Sequence, residues 1–465
     1  MSRRGLHLAA AIASLLVAAC ASKSEAWNAR EVPQLAVSEH FRSVPAESAP
    51  ALERGDVDAG WIAGFGDERL SALVAEALEH NSDLELAGSR ADLARALAKR
   101  AGADLTPVAA AFANLGRGDS GEGEATRIEL GLQASWEPDV WGRLSKTQRA
   151  AELDAEAARA DLVGARHSLA AATARAWFLA IAARQRVQVD ERSLVQRERV
   201  ERITRAHYDA GEQPGGDVDV AAGQTDGARA LAQQSRGALR SALLSLETLL
   251  GRYPSGELDA ASALPAALAP PPLGLPSQLL ERRPDVVAAE RSVAAAYERL
   301  AAADAARLPR IALTAEGGFS NDELKHLTDP SNVIWDLAAG LLAPLYAGGR
   351  FQADVDAARA IRRGALATYL GVARNAFFEV ENALTSEATL RERETSLTSA
   401  VDHLRRAREL SEERYVQGEA TILELDQVHT QLYQSERDLL ATRVDLLLQR
   451  VALHLALGGS FEAQP

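Results

Sequence analysis

Tyr208-Asp-Ala-Gly211-Glu212, followed by Asp217 and Asp219, occurs a second time in this chain as Tyr415-Val-Gln-Gly418-Glu419, followed by Glu424 and Asp426. The two stretches stand 207 positions apart, and the same offset relates Gly142-Arg143 to Gly349-Arg350 and Leu250-Gly251 to Leu457-Gly458. Further upstream, Asn81-Ser-Asp83 with Pro107 answers Arg283-Pro-Asp285 with Pro309 at an offset of 202. Chance likeness between alanine-rich helices does not hold register across Tyr, Gly, Pro and Arg landmarks. The chain is a tandem duplication.

Working outward from the Tyr-x-x-Gly stretches, each copy has the same order. A helix comes first, over about 67–104 and again over 276–306, with apolar residues such as Leu70, Leu73, Val74, Ala77 and Leu78 at three-and-four spacing. Pro107 and Pro309 stop these helices, since proline lacks the amide. Strand-like alternation follows. Ile128, Leu130, Leu132, Ala134 and Trp136 fall on one face, with Arg127, Glu129, Gly131, Gln133 and Ser135 on the other. Copy two repeats the pattern with Ile311, Leu313, Ala315, Gly317 and Phe319, then with Val333, Trp335, Leu337, Ala339 and Leu341; the remaining strand, Val108 to Leu115, is weakly patterned. Such alternation fits a half-buried soluble hairpin or a barrel wall with lipid outside and water inside.

A very long helix comes next in each copy. No proline interrupts Arg143 to Gly211 or Arg350 to Gly418, and alanine and apolar residues recur at helical spacing. About 65 residues at 1.5 Å each reach roughly 100 Å, which calls for coiled-coil packing. Glycine at 211 and 418 reverses the chain, and a second helix returns to Gly251 or Gly458. The copies occupy 67–251 and 276–458. Between them, 252–275 is a proline-rich linker or small surface element, 20–66 is an N-terminal segment, and 459–465 is a tail.

Composition narrows the function. With 465 residues, 47% hydrophobic and 25% charged, the chain offers no run of ~18 apolar residues after its N-terminus, which excludes a polytopic helical membrane protein. A net charge of -14 disfavours a nucleic-acid partner. Residues 1–19 read as a secretory signal, with Arg3 and Arg4 before the run from Leu6 to Ala19. The single cysteine excludes internal disulfides and a cysteine metal cluster. It stands at the end of Val17-Ala18-Ala19-Cys20, which resembles a bacterial lipobox and makes Cys20 the acylated (palmitate-bearing) first residue of the mature chain. Ala21 and Ser22, with no Asp after the cysteine, point to outer-membrane sorting.

Enzymatic chemistry finds no support. The nine histidines are scattered without metal-ligand spacing, and no Gly-x-Ser-x-Gly occurs, so no catalytic residue, metal or cofactor is expected. Gly116-Arg-Gly118-Asp-Ser-Gly121 fits a dinucleotide pattern by letter only and reads as an external loop between strands; Asn321 to Ser331 is the matching loop.

Four strands cannot close a membrane barrel, and open edges in lipid leave backbone groups unpaired. Several copies each giving four strands can. Here the residues resemble the TolC-like outer membrane factors, in their OprM-like lipoprotein branch. The resemblance covers nearly the whole chain. It rests on Trp61-Ile-Ala-Gly-Phe65-Gly-Asp67, Trp136-Glu-Pro-Asp-Val-Trp141-Gly-Arg143, Leu275-Pro-Ser-Gln-Leu-Leu-Glu-Arg-Arg-Pro-Asp285, Pro344-Leu-Tyr-Ala-Gly-Gly-Arg350 and Tyr415-Val-Gln-Gly418, in that order.

The resemblance implies a mainly α, mixed α/β membrane protein. Three chains would share a twelve-stranded outer-membrane barrel above a periplasmic helical tunnel, with a mixed equatorial belt between. It further implies a trimeric efflux or export duct in the outer membrane of a Gram-negative bacterium, held in its lipid and working with a periplasmic adaptor (membrane fusion protein) and an inner-membrane transporter. The acidic residues past the turns, Asp217, Asp219, Glu424 and Asp426, are then candidates for the closed periplasmic aperture. Acids in a first helical turn are equally an ordinary response to the helix dipole, so both readings stand. Tyr208, Gly211, Tyr415 and Gly418 mark the tip turns. Gln213-Pro214-Gly215-Gly216 departs from the family's Gly-x-x-Ser type of turn. The rival reading is a periplasmic coiled-coil lipoprotein acting as scaffold or adaptor.

Overall fold

The computed structural model describes residues 40–43, 60–119, 124–265 and 271–460; Cys20 and the signal segment lie outside them. The elements in chain order are α1 (Trp61–Gly64), α2 (Glu68–His80), α3 (Ser82–Ala103), β1 (Val108–Asp119), β2 (Glu124–Trp136), α4 (Arg143–Asp209) and α5 (Gly215–Leu249). After the linker come α6 (Leu279–Arg282), α7 (Pro284–Ala305), β3 (Arg310–Asn321), β4 (Val333–Leu342), α8 (Arg350–Val416) and α9 (Ile422–Ala456). The longer helices of the two copies match in length: α4 and α8 have 67 residues each, α5 and α9 have 35, α3 and α7 have 22. The offset grows from 202 to 207 across the strands, where the β3–β4 loop is longer than the β1–β2 loop.

Two expectations change. The first helix of each copy is broken rather than continuous. Asn81 turns extended, and its Oδ1 accepts from the amides of Asp83 and Leu84, capping α3. In copy two the break falls at Arg283, because the residue before Pro284 is driven out of the helical region. Both break residues tie to the end of the return helix of their own copy. Asn81 Nδ2 donates to the Leu249 carbonyl at 3.0 Å, and Arg283 Nη1 donates to the Ala456 carbonyl at 3.1 Å. Second, Gly116 to Asp119 belong to β1 and not to a loop, paired with Arg127 to Glu124. The ladder runs on because backbone pairing needs no side chains.

The strands form one antiparallel sheet in the order β1-β2-β3-β4. Registers such as Leu132↔Gly317 and Gly317↔Trp335 line up the alternation seen in the sequence. Glycine is required where strands meet closely: a Cβ on Gly318 would stand 2.3 Å from the Leu130 carbonyl oxygen. The β3–β4 loop holds two short 3-10 turns, Leu324–His326 and Pro330–Asn332, tied by Asn332 Nδ2 donating to the His326 carbonyl.

The chain divides into two compact units. Of the described residues, one unit takes 89–160 and 287–372, including the sheet, and the other takes 40–88, 161–286 and 373–460 apart from the undescribed gaps. In the second unit, the largest core gathers Leu70 and Ala77 of α2, Trp177, Phe178 and Ile181 of α4, Leu246 of α5 and Leu250 just past its end, all fully buried. Asp67 organises it. One carboxylate oxygen caps α2 through the amides of Arg69 and Leu70, and the other accepts from Trp177 Nε1 at 2.7 Å. The linker is more than a surface element. Leu273 is buried with Phe41, Leu279, Val380 and Leu453, and the buried Glu247 side chain accepts from the amides of Gly256, Glu257 and Leu258 and from the Ser255 hydroxyl. Burial alone would raise the Glu247 carboxyl, but these donors hold it below the usual carboxylate range.

Candidate functional site

Each tip is built by the same local rule. At the end of α4, Gly211 adopts φ +77°, its amide donates to Tyr208 O, and Glu212 N donates to His207 O at 2.9 Å. At the end of α8, Gly418 adopts φ +73°, its amide donates to Tyr415 O, and Glu419 N donates to Arg414 O at 2.8 Å. A left-handed residue closing a helix in this way satisfies orphan carbonyls, and only glycine does so without a Cβ penalty.

Past the turns the tips part. In copy one, Pro214 occupies the cap position of α5 and supplies no side-chain bond. Tyr208 lies over Gly215 and stays 49% exposed. In copy two, Thr421 and Glu424 form a reciprocal capping box: Glu424 N donates to Thr421 Oγ1 at 3.3 Å, and Thr421 N donates to Glu424 Oε2 at 2.9 Å. Tyr415 is 0% exposed. It packs with Val200, Ala221, Ile422 and Leu425, and its hydroxyl meets Thr204 Oγ1 at 2.6 Å and donates to Gln213 Oε1 at 3.2 Å. One copy's tyrosine thus fastens the other copy's hairpin.

The four acidic candidates separate in the same manner. Asp217 and Asp219 make no hydrogen bond or ion pair through their side chains among the described residues, and Asp219 is exposed. Glu424 is exposed but engaged in the capping box. Asp426 is partly buried and ion-paired with Arg197 of α4, whose guanidinium also donates to Gln224 Oε1 at 2.8 Å and Thr430 Oγ1 at 3.0 Å. Arg197 escapes sequence reading because its partner lies 229 residues away. The one visible signal is a departure in the repeat, which has Leu404 at the matching position.

Behind Asp426 sits His429, buried to 1% exposure, its Nε2 lacking a hydrogen-bond partner among the described residues. Burial, then the charges of Arg197 and Arg408, lower its pKa to about 4 against the opposing pull of Asp426. A second interface between copies lies further along. Asp190 of α4, 1% exposed, receives Arg437 of α9 at 2.6 Å and Arg186 at 3.0 Å. Polar groups buried in this way are satisfied in pairs, since an unpaired charge there costs several kcal/mol.

Long paired helices, a four-stranded sheet with one apolar exposed face, and two glycine-closed tips define a protein of the outer-membrane channel class. The chain belongs to the outer membrane efflux protein family, whose sequence profile matches residues 73–252 and 275–459, one stretch in each copy. It is 30% identical to the pyoverdine export outer membrane protein OpmQ of Pseudomonas aeruginosa, over 100% of this chain and 98% of that one. The solved outer-membrane channel OprN superposes with a TM-score of 0.86 at 27% identity, covering 94% of this chain and 99% of that one. The open state of the Neisseria gonorrhoeae MtrE channel superposes with a TM-score of 0.80 at 27% identity, over 94% and 98%. The protein is therefore a TolC-like outer membrane factor, the outer-membrane channel of an efflux system in a Gram-negative bacterium. The proteins it resembles are channels, not enzymes.

Proposed function

We propose that three copies of this chain close a twelve-stranded barrel and conduct solutes passively from periplasm to exterior, without covalent chemistry, when an adaptor and an inner-membrane transporter dock below. The observation that carries the reading is the sheet itself. β1 and β4 are its two edges, and Leu132, Trp335, Leu337 and Leu341 on one face are largely exposed in the single chain. In lipid the apolar face is at home, but an open edge strands backbone donors and acceptors at several kcal/mol each. Neighbouring copies satisfy both edges at once.

The tips then ring the periplasmic mouth. Asp217 and Glu424 stand at matching places, and six such carboxylates near one axis give a negative constriction that attracts cations. Cys20, acylated at the mature N-terminus, adds roughly 0.8 kcal/mol of anchoring per buried CH2. Residues 252–275 serve as the equatorial belt between the copies. Single-channel recording in a planar bilayer tests the whole. The purified protein conducts, more readily with Asp217 and Glu424 changed to Ala; a trimer silent in both forms overturns the reading. Cys20→Ser releases the mature chain from lipid anchoring, read by labelling with a radioactive fatty acid.

A further inference from the structure

Within the unit that holds the sheet, α4 of copy one packs against α7 of copy two. Leu153 is buried with Ala294 and Ala295, and ion pairs cross beside it: Lys146 to Glu298 at 3.1 Å, Glu156 to Arg291 at 3.1 Å, and Asp154 to Arg299. The repeat carries α4 onto α8 at an offset of 207 and α7 onto α3 at an offset of 202. The matching faces of α8 and α3 lie open in the single chain. Ile361 is 57% exposed, Leu93 60% and Leu97 48%. Both helices adjoin the open edges of the sheet, α3 leading into β1 and β4 leading into α8.

Position by position, the open faces differ from the internal seam, and the differences complement one another. Where Leu153 meets Ala295, the open faces have Ala360 and Leu93; large and small have changed sides, so the summed volume is kept. Where Asp154 meets Arg299, they have Ile361 and Leu97, so both members are apolar. Lys146 and Glu298 are matched by Ala353 and Ala96, again both uncharged, and Glu156 and Arg291 by Arg363 and Ser89, with no opposite pair left. Asp92, in the place of Ala294, is held by Arg95 of its own helix at 3.1 Å. A change in one member alone leaves a void or an unpaired charge. Paired changes are what contact between two chains requires.

We propose that α8 of one copy seats on α3 of the next, with Ala360 on Leu93 and Ile361 on Leu97, so that the seam between subunits is apolar where the seam within the chain is ionic. The register rests on the trimeric reading above and adds to it which faces meet, in what order and by what chemistry. It also sets the direction of closure. An α8 face laid on another chain's α7 would put Ala360 against Ala295 over a void and Arg299 on Ile361 without a carboxylate. A face that accepts α3 and rejects α7 joins copies head to tail, as a closed ring needs.

The test exchanges the two chemistries in the full chain, purified in detergent, with the trimer fraction read by analytical ultracentrifugation. Ile361→Asp or Leu97→Arg alone sets an unpaired charge on an apolar partner, and the trimer fraction falls roughly tenfold or more. I361D/L97R writes the internal ion pair into the subunit seam and recovers most of the parental fraction. Cysteines at the paired positions decide the register even where a charged variant fails to fold. On oxidation L97C/I361C joins one chain to another in a band that reductant removes, whereas L97C, I361C and L86C/I361C do not, since Leu86 stands about 16 Å from Leu97 along α3. A trimeric parent whose L97C/I361C chains stay unlinked, or whose I361D and L97R variants both keep the parental trimer fraction, overturns the register and leaves the trimer standing. A parent that is not trimeric overturns the trimeric reading first, and this register with it.

Discussion

The two hairpin tips begin from one sequence pattern and end as different objects. Copy one closes on a proline cap, an exposed Tyr208 and two unengaged aspartates. Copy two closes on a capping box, a fully enclosed Tyr415 and an aspartate held by Arg197. Duplication supplied identical turns; the positions around them differ, so that one tip holds the anchoring tyrosine and the other accepts its hydroxyl at Gln213. The contrast teaches that at the tips repeat symmetry holds for backbone geometry, which each copy sets locally, and fails for the side-chain contacts of Tyr415 and Asp426, which reach across to the other copy.

The sharpest way to break this comparison is to exchange the fates of the tyrosines. Tyr415→Ala empties a closed pocket and leaves Thr204 and Gln213 without their partner, at a cost of about 3–5 kcal/mol. Tyr208→Ala costs under about 1 kcal/mol, as expected of a half-exposed side chain. Amide hydrogen exchange of each hairpin in the detergent-solubilised protein separates the two. Equal loss of protection in both variants contradicts the asymmetry.

Acid sharpens the comparison next. Copy two buries His429 and His454, both lowered to about 4, His454 by burial and then Arg450 while it stacks on Trp61 at 5.3 Å. Copy one has Ala222 and Glu247 at the matching positions. Between about pH 6.5 and 4 the unfolded chain binds protons that the folded histidines exclude, so stability falls with pH by up to about 3 kcal/mol per histidine. The Glu247 carboxyl is held low, so its contribution is present at neutral pH and is lost only as pH drops below the ordinary carboxylate range. Copy two therefore loosens first. Thermal melts from pH 7 to 4 of H429Q and H454Q show a flatter decline than the parent.

A smaller effect follows from giving copy one the residue of copy two. Arg197→Leu, matching Leu404, strands the partly buried Asp426 at about 1–3 kcal/mol. Adding Asp426→Leu recovers much of it, and a double-mutant cycle on melting temperature measures the coupling. The smallest change is Thr421→Ala, which breaks the capping box for about 1 kcal/mol, read as faster exchange in the first turn of α9.

What was legible in the sequence followed from short-range rules. Alternation at Ile128 to Trp136 gave the strands, unbroken helical spacing gave the long helices, and glycine after Tyr208 and Tyr415 gave the turns, because each depends on neighbours within a few residues. The breaks at Asn81 and Arg283 were partly legible: Pro284 signals one outright, while Asn81 reads as a cap only once the structure shows its side chain accepting from Asp83 and Leu84. The extension of β1 through Gly116 to Asp119 was hidden, because glycines carry no alternation and the strand is held by its partner β2.

The sequence by itself determined the duplication, the class of fold and the family, because a repeated pattern of turns and periods is local and survives divergence. Glu424 is engaged by a local capping box, but only tertiary structure decided that Asp426 is held while Asp217 and Asp219 are left unengaged. Thr204 meets Tyr415 across 211 residues and Arg197 meets Asp426 across 229. Contacts at that separation depend on how two helical hairpins pack, and no spacing rule along one chain records that packing.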